Sequence, residues 1–134
     1  MEVQLYTNRH SVYNLSYHLI LCTKYRHKCI NETLFGVIRE YAEKLFTTWG
    51  GGLLEINYEP DHVHMLIQLP PQTNVANLVG AFKSITSKQL KIRFPEYLKK
   101  YYWNDTFWSK SYLILSSGGA PIDVIKKYIQ NQNN

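Results

Sequence analysis

Two strand-like runs, LLEINY at 53–58 and HVHMLIQL at 62–69, are separated only by the tripeptide EPD. A connection that short joins antiparallel neighbours, because a parallel crossover needs roughly a dozen residues or more. The hairpin therefore sets an antiparallel sheet at the centre of the chain. At 134 residues the chain suits one domain with one core, 1–134.

The flanking periods supply the other elements. From residue 12 to 24, Leu15, Tyr17, Leu19 and Leu21 alternate with Ser16, His18, Ile20 and Cys22, which predicts a central strand. The basic loop KYRHK follows at 24–28. Leu34, Ile38, Tyr41, Ala42, Leu45 and Phe46 then recur at helical spacing behind Asn31, a good cap, and WGGG ends that helix. A second helix is predicted over about 75–92, with Thr73 or Asn74 as cap and Leu78, Phe82, Ile85 and Gln89 on its inner side. Pro95 should stop it, and 96–105 read as a polar-aromatic linker. FWSKSYLILS carries a last strand, Gly118 and Gly119 form a flexible joint (118–120), and Pro121 opens a terminal helix within 121–132.

The order β-α-β-β-α-β is the ferredoxin-like split βαβ arrangement, an α+β sandwich, with one helix left over. Two helices cover one face of an antiparallel sheet. The opposite face remains for a ligand, another subunit or the hinged C-terminal helix, and function should be sought there.

Fifteen Lys and Arg against ten Asp and Glu give a formal charge of +5, which favours a polyanionic partner. Eleven Tyr, three Trp and five Phe exceed what a small core needs, so some are candidates for stacking on bases or lining an interface. Cys22 and Cys29 lack metal-type spacing and read as reduced thiols. The opening MEVQLYTNRH has no signal-peptide core, and no run approaches the ~18 apolar residues of a membrane span. The expectation is a cytoplasmic protein.

His62 and His64 share one face of a strand, about 6.6 Å apart at Cα, while Val63, Met65, Ile67 and Leu69 face the helices. Two imidazoles on one face can converge on a metal ion. The spacing serves equally two satisfied histidines near a sheet edge. Two nitrogens do not complete a structural zinc site, but they suit an open site finished by an oxygen donor, water and a substrate phosphate. In PIDVIKKYIQNQNN, Val124, Tyr128 and Gln132 share one helical stripe, beside an apolar stripe of Ile122, Ile125 and Ile129. Tyr128 alone is a packing tyrosine and Gln132 alone a frayed end. Together they offer a carboxamide oxygen that completes a His-His-Gln set, with a phenol one turn away. A phenol near pKa 10 needs help to attack at neutral pH, and a divalent ion aligning a phosphate supplies it.

PDHVHMLI resembles the HUH motif, and IKKYIQNQ resembles the tyrosine motif of IS200/IS605-family single-tyrosine transposases. The likeness spans nearly the whole chain, with YNLSYHLILCTKYRHK and FWSKSYLILSSGG in family order. It implies a ferredoxin-like core and a homodimer acting on single-stranded DNA with hairpin-forming ends. It also implies Mg²⁺ or Mn²⁺ as cofactor, with imidazole ligands leaning to Mn²⁺. Carried over by position, Tyr128 is the nucleophile that forms a 5′-phosphotyrosine and a free 3′-OH, and His62, His64 and Gln132 are the ligands. Gly118 and Gly119 are the hinge that lets the tyrosine helix serve its own subunit or its partner in composite active sites. While bound to DNA such a protein would be nucleoid-associated.

Lys24, Arg26 and Lys28 in the loop, and Lys83, Lys88 and Lys91 on the second helix, are the candidate DNA contacts, with Arg93, Lys99, Lys100 and Lys110 as further cations. Tyr25, Tyr101, Tyr102, Trp103 and Trp108 are candidates for stacking, or else for core and interface. Three other readings stay open. They are a domesticated relative acting on chromosomal repeats, a non-catalytic nucleic-acid-binding module, and a metallohydrolase with water as nucleophile.

Overall fold

The computed structural model describes residues 4–102, 106–117 and 122–132, without the side chains of 122, 123 and 125. The joint at Gly118 and Gly119, Pro121, Trp103, and the Ile122 and Ile125 side chains lie outside the described residues.

A four-stranded antiparallel sheet forms the frame, in the order β4-β5-β3-β6. β3 spans Ser16–Cys22, β4 Gly52–Glu59, β5 His62–Gln68 and β6 Leu113–Ser116. The hairpin strands β4 and β5 pair as the short EPD connection requires, from Gly52 opposite Gln68 to Glu59 opposite His62. The first long strand, β3, inserts between this hairpin and β6, which is the split arrangement.

Two helices cover one face. α1, Glu32–Thr48, is capped by the Asn31 side chain, which accepts from the Leu34 amide at 2.9 Å. It ends at Gly50, whose φ of 89° suits glycine. α2, Val75–Arg93, is capped in the same way by Asn74. Between helices and sheet lie Leu19, Leu21, Val63, Met65, Ile67, Phe46 and Phe82, all fully buried.

Four expectations need correction. The strand predicted over 12–24 is broken: β1 (Tyr6–Thr7) and β2 (Val12–Tyr13) form a separate small hairpin. Its turn is closed by the Asn8 side chain, which accepts from the His10 and Ser11 amides. The buried stripe of α2 runs through Leu78, Val79, Phe82, Thr86 and Leu90, leaving Ile85 and Gln89 only half-buried. The supposed linker is partly core. Pro95 ends α2 but opens a helical turn, α3 (Pro95–Leu98), and Leu98 and Tyr102 are buried. Lastly, β6 occupies only the end of the predicted final strand. Phe107 and Trp108 before it enter the core, where Trp108 Nε1 donates to Thr86 Oγ1 at 2.8 Å. Tyr102 and Trp108 are thus core residues rather than stacking surfaces, whereas Tyr25 is exposed.

The sheet's other face meets α4, Ile122–Gln130. There Tyr128 and Ile129, together with Leu113 and Leu115, pack against the buried pair Ile20 and Cys22. Among the described residues no helix is long and apolar enough to cross a membrane.

Candidate active site

Alternation along β5 sends Val63 and Met65 into the core and leaves His62 and His64 half-buried on the face that α4 touches. Strand register places Cys22 opposite His62 and Ile20 opposite His64. These two β3 residues are the ones on which Tyr128 packs. The predicted nucleophile therefore lies one strand over from the predicted ligands.

Each histidine has a partner that the sequence reading did not assign. His62 Nδ1 lies 2.8 Å from Asp61 Oδ1. An ionised carboxylate only accepts, so that nitrogen carries the proton and Nε2 remains the basic one. Burial works to raise the Asp61 carboxyl, but hydrogen bonds from His62 and Arg26, and their charges, hold it below the usual carboxylate value. His64 Nε2 lies 2.7 Å from His18 Nδ1. Burial first, then the neighbouring His18 and His62, hold His64 below the ordinary imidazole value, against the opposing pull of Glu55. His18, Glu55, Asn57 and His64 line a small recess of about 40 Å³.

On α4, the Tyr128 hydroxyl lies 2.8 Å from Ser111 Oγ. Burial pushes this phenol above its ordinary value, the Ser111 hydrogen bond works to lower it, and Cys22 adds to the rise. Gln132 Oε1 accepts from Ser111 Oγ at 2.8 Å and from Ser109 Oγ at 3.3 Å. Tyr128 on α4 and Gln132 just beyond it are thus held by serines leading into β6, Ser111 serving both and Ser109 adding to Gln132. Sequence reasoning missed them because nothing in their spacing marks them.

The donor chemistry fits a divalent ion. Two imidazoles share a face, and His62 already has the carboxylate partner typical of a ligating histidine. Among the described residues no cluster of three or more His, Cys, Asp or Glu side chains can hold a metal. A third protein donor of another kind would be needed there, and the Gln132 carboxamide, now held by Ser109 and Ser111, is a candidate.

The predicted cations gather in two clefts. Lys83, Lys88 and Lys91 line one of about 490 Å³ with Lys110, Ser84 and Ser109. There the Lys83 ammonium donates to the Lys110 and Ser111 carbonyls at 3.1 and 3.4 Å, and burial lowers its pKa. Arg26 and Lys28 line a second cleft of about 440 Å³ with Tyr25, Asp61, Gln130 and Gln132. Lys24 stands over the Tyr25 ring, 5.4 Å from its centroid. Arg93, by contrast, is engaged on the helix layer with Glu40 and the Tyr41 hydroxyl.

Known proteins resemble this chain in sequence and in fold. The family model described as "Transposase IS200 like" matches residues 11–132. The ISDra2 transposase TnpA of Deinococcus radiodurans is 29% identical over 134 residues, covering 100% of this chain and 95% of that protein. The transposase for insertion sequence element IS200 of Salmonella typhimurium is 29% identical over 123 residues, covering 92% of this chain and 80% of its own length. A crystal structure of a Deinococcus radiodurans R1 protein superposes with a TM-score of 0.85 at 31% identity, covering 96% of this chain and 98% of the other. A REP-associated tyrosine transposase bound to a REP hairpin shares the fold, with a TM-score of 0.59 at 9% identity over 95% of this chain and 69% of that one. The chain belongs to the IS200-like transposase family, enzymes that process DNA in transposition.

Proposed function

We propose that this transposase cuts and rejoins single-stranded DNA at the hairpin-forming ends of an insertion sequence, through a covalent 5′-phosphotyrosine on Tyr128. One observation carries the reading: Tyr128 packs on Ile20 and Cys22, the cross-strand neighbours of His64 and His62.

His62, His64 and Gln132 hold Mg²⁺ or Mn²⁺, which when bound polarises a phosphoryl oxygen and aligns the scissile phosphate. Asp61 orients the His62 ring, and burial favours the uncharged form of His64, the form that can ligate once it parts from His18. The Tyr128 oxygen loses its proton and attacks phosphorus. The bond from phosphorus to the 3′ oxygen breaks, and that oxygen takes up a proton to leave as a 3′-OH. One phosphoester replaces another, so a later 3′-OH can reverse the attack without an external energy source. A phenol is neutral at pH 7 and burial disfavours its ionisation further, so a bound cation would have to supply what the attack needs.

Phosphates run along the lysine cleft beside α2 and along the 24–28 loop. The working unit is a homodimer with composite sites, in which the tyrosine helix of one subunit serves the histidines of the other. In support of this, β4 and β6 are edges of the sheet, where a second subunit can approach.

The test incubates wild-type and Tyr128→Phe protein with an element-end oligonucleotide and Mn²⁺. Wild type should form a covalent adduct that EDTA abolishes, and the variant should form none. Salt-sensitive binding that ignores EDTA and yields no adduct would instead mark a binding module. Mixing His64→Ala with Tyr128→Phe protein should restore cleavage, and inactivity despite proven subunit exchange would remove the composite arrangement.

A further inference from the structure

A buried carboxylate and a guanidinium lie between the histidine strand and the tyrosine helix. Asp61 is 7% exposed and sits in the turn between β4 and β5. Its Oδ1 faces His62 Nδ1, and its Oδ2 accepts from Arg26 Nε at 3.2 Å and Nη2 at 3.0 Å. The remaining guanidinium nitrogen, Nη1, donates to the Gln130 carbonyl at 3.4 Å, in the last turn of α4. Arg26 is thereby linked both to the histidine strand, through Asp61, and to α4.

The loop is shaped for this reach. Tyr25 and Arg26 adopt φ of 60° and 53°, a left-handed pair that side chains other than glycine rarely take. Thr23 holds the conformation, since its hydroxyl donates to the His27 carbonyl at 2.8 Å and to the Asp61 carbonyl at 3.2 Å. The Thr23 amide also donates to the Asp61 carbonyl at 3.0 Å. Backbone conformation uncommon for its residues, kept in place by several hydrogen bonds, marks an arrangement selected for what it positions.

We infer that Asp61 and Arg26 are positioning residues: Asp61 holds the His62 ring with its proton on Nδ1, and Arg26 ties that carboxylate to the end of the tyrosine helix. The inference rests on the proposed role of His62 as a ligand. A carboxylate cannot donate, so it selects one tautomer, and the opposite nitrogen is left basic. The planar fork of Arg26 serves Asp61 and Gln130 together, which a lysine's single ammonium does less well. Arg26 is also neutralised by Asp61, so it offers a polyanion less than the lysines of the α2 cleft do. Its predicted place among the DNA contacts becomes secondary.

The test uses the full chain labelled with ¹⁵N-histidine and free of metal, read by NMR. Wild-type His62 should show a protonated Nδ1 and an unprotonated Nε2, and Asp61→Asn should populate the other tautomer. Arg26→Ala should speed amide exchange of Tyr128 to Asn131 on the order of tenfold, as expected for loss of a charge-assisted hydrogen bond. Arg26→Lys should recover only part of that protection. With saturating Mn²⁺, Asp61→Asn and Arg26→Ala should lower kcat about 10- to 100-fold, with KM for an element-end oligonucleotide within about twofold. A wild-type His62 protonated on Nε2 overturns the inference, and so does unchanged α4 exchange in Arg26→Ala. A large rise in KM at constant kcat would make Arg26 a phosphate contact instead. If Tyr128→Phe still formed adduct, the strand-transfer reading would fall, while the ring-nitrogen signals would still decide this one.

Discussion

The two faces of the sheet are built from alternate residues of the same strands, yet they differ in kind. Toward α1 and α2, Leu19, Leu21, Val63, Met65 and Ile67 are fully excluded from water. On the reverse, His18, His62 and His64 stay half-buried, and Tyr128 and Ile129 of α4 rest on Ile20 and Cys22. The covered face supplies the stability. The reverse face draws on it, because strands fixed from one side can hold polar groups on the other at 2.7–2.8 Å beside only a small buried cluster at Ile20 and Cys22. A residue's effect should therefore follow its parity along the strand more than its distance along the chain.

The sharpest way to break that division is to cross it. Tyr128→Phe should lower adduct formation by about 10⁴-fold or more, as for loss of a nucleophile, while losing one hydrogen bond should cost only ~0.5–1.5 kcal/mol in urea denaturation. Phe82→Ala should do the reverse. Phe82 is fully buried and stacks on Phe46 with centroids 5.6 Å apart, so truncation should cost ~3–5 kcal/mol. Well below its melting temperature, that variant should keep its adduct rate per folded molecule. A Phe82→Ala protein with an intact denaturation midpoint and no adduct would show that the faces are not separable.

What the sequence made legible follows the same division. Parity along β3 and β5 was readable from alternation, and so were the helix caps at Asn31 and Asn74. Pairing across the sheet was not. His18 and His64 are 46 positions apart, and only the register of β3 against β5 brings them together, although His18 already stood on the correct face. Asp61 was legible as a turn residue but not as the partner of His62. The partner of the Tyr128 hydroxyl was not legible either, because Ser111 lies outside α4, 17 positions away. The 96–102 segment misled because Lys99 and Lys100 stand between the buried Leu98 and Tyr102, and two positions do not show a period.

A smaller effect tests whether the α2 cleft belongs to the reverse face in function. Lys88→Ala removes one cation from that cleft and leaves both faces packed. Binding to single-stranded DNA should weaken for every sequence alike, and the slope of log K against log salt should fall by about 0.7. Stability should change within ~0.5 kcal/mol. A sequence-dependent loss would mean that Lys88 reads bases rather than phosphates.

The smallest effect is the most direct measure of how loosely the reverse face is closed. Cys22 and Cys29 are both buried and unpaired, and burial raises each thiol to about 11. At pH 8 only about one thiol in a thousand is then a thiolate in the closed state, so alkylation reports opening. Thiolate is the reacting form and reaction goes through the opened state, where burial no longer acts, so both rates should rise about tenfold per pH unit only until the pH nears the ordinary thiol value of about 8.5. The two sites differ in what covers them. Cys22 lies in the small cluster beneath Tyr128 and Ile129, whereas Cys29 belongs to the main core, 3.8 Å from the Tyr102 hydroxyl. Lifting α4 exposes Cys22 alone, so iodoacetamide should modify it faster than Cys29. Ser111→Ala, which removes hydrogen bonds to both Tyr128 and Gln132, should accelerate Cys22 by roughly 2- to 10-fold and leave Cys29 unchanged. Equal rates in both proteins would mean that the thiols are exposed only by global unfolding. The faces would then open as one cooperative unit, and the comparison would describe composition rather than stability.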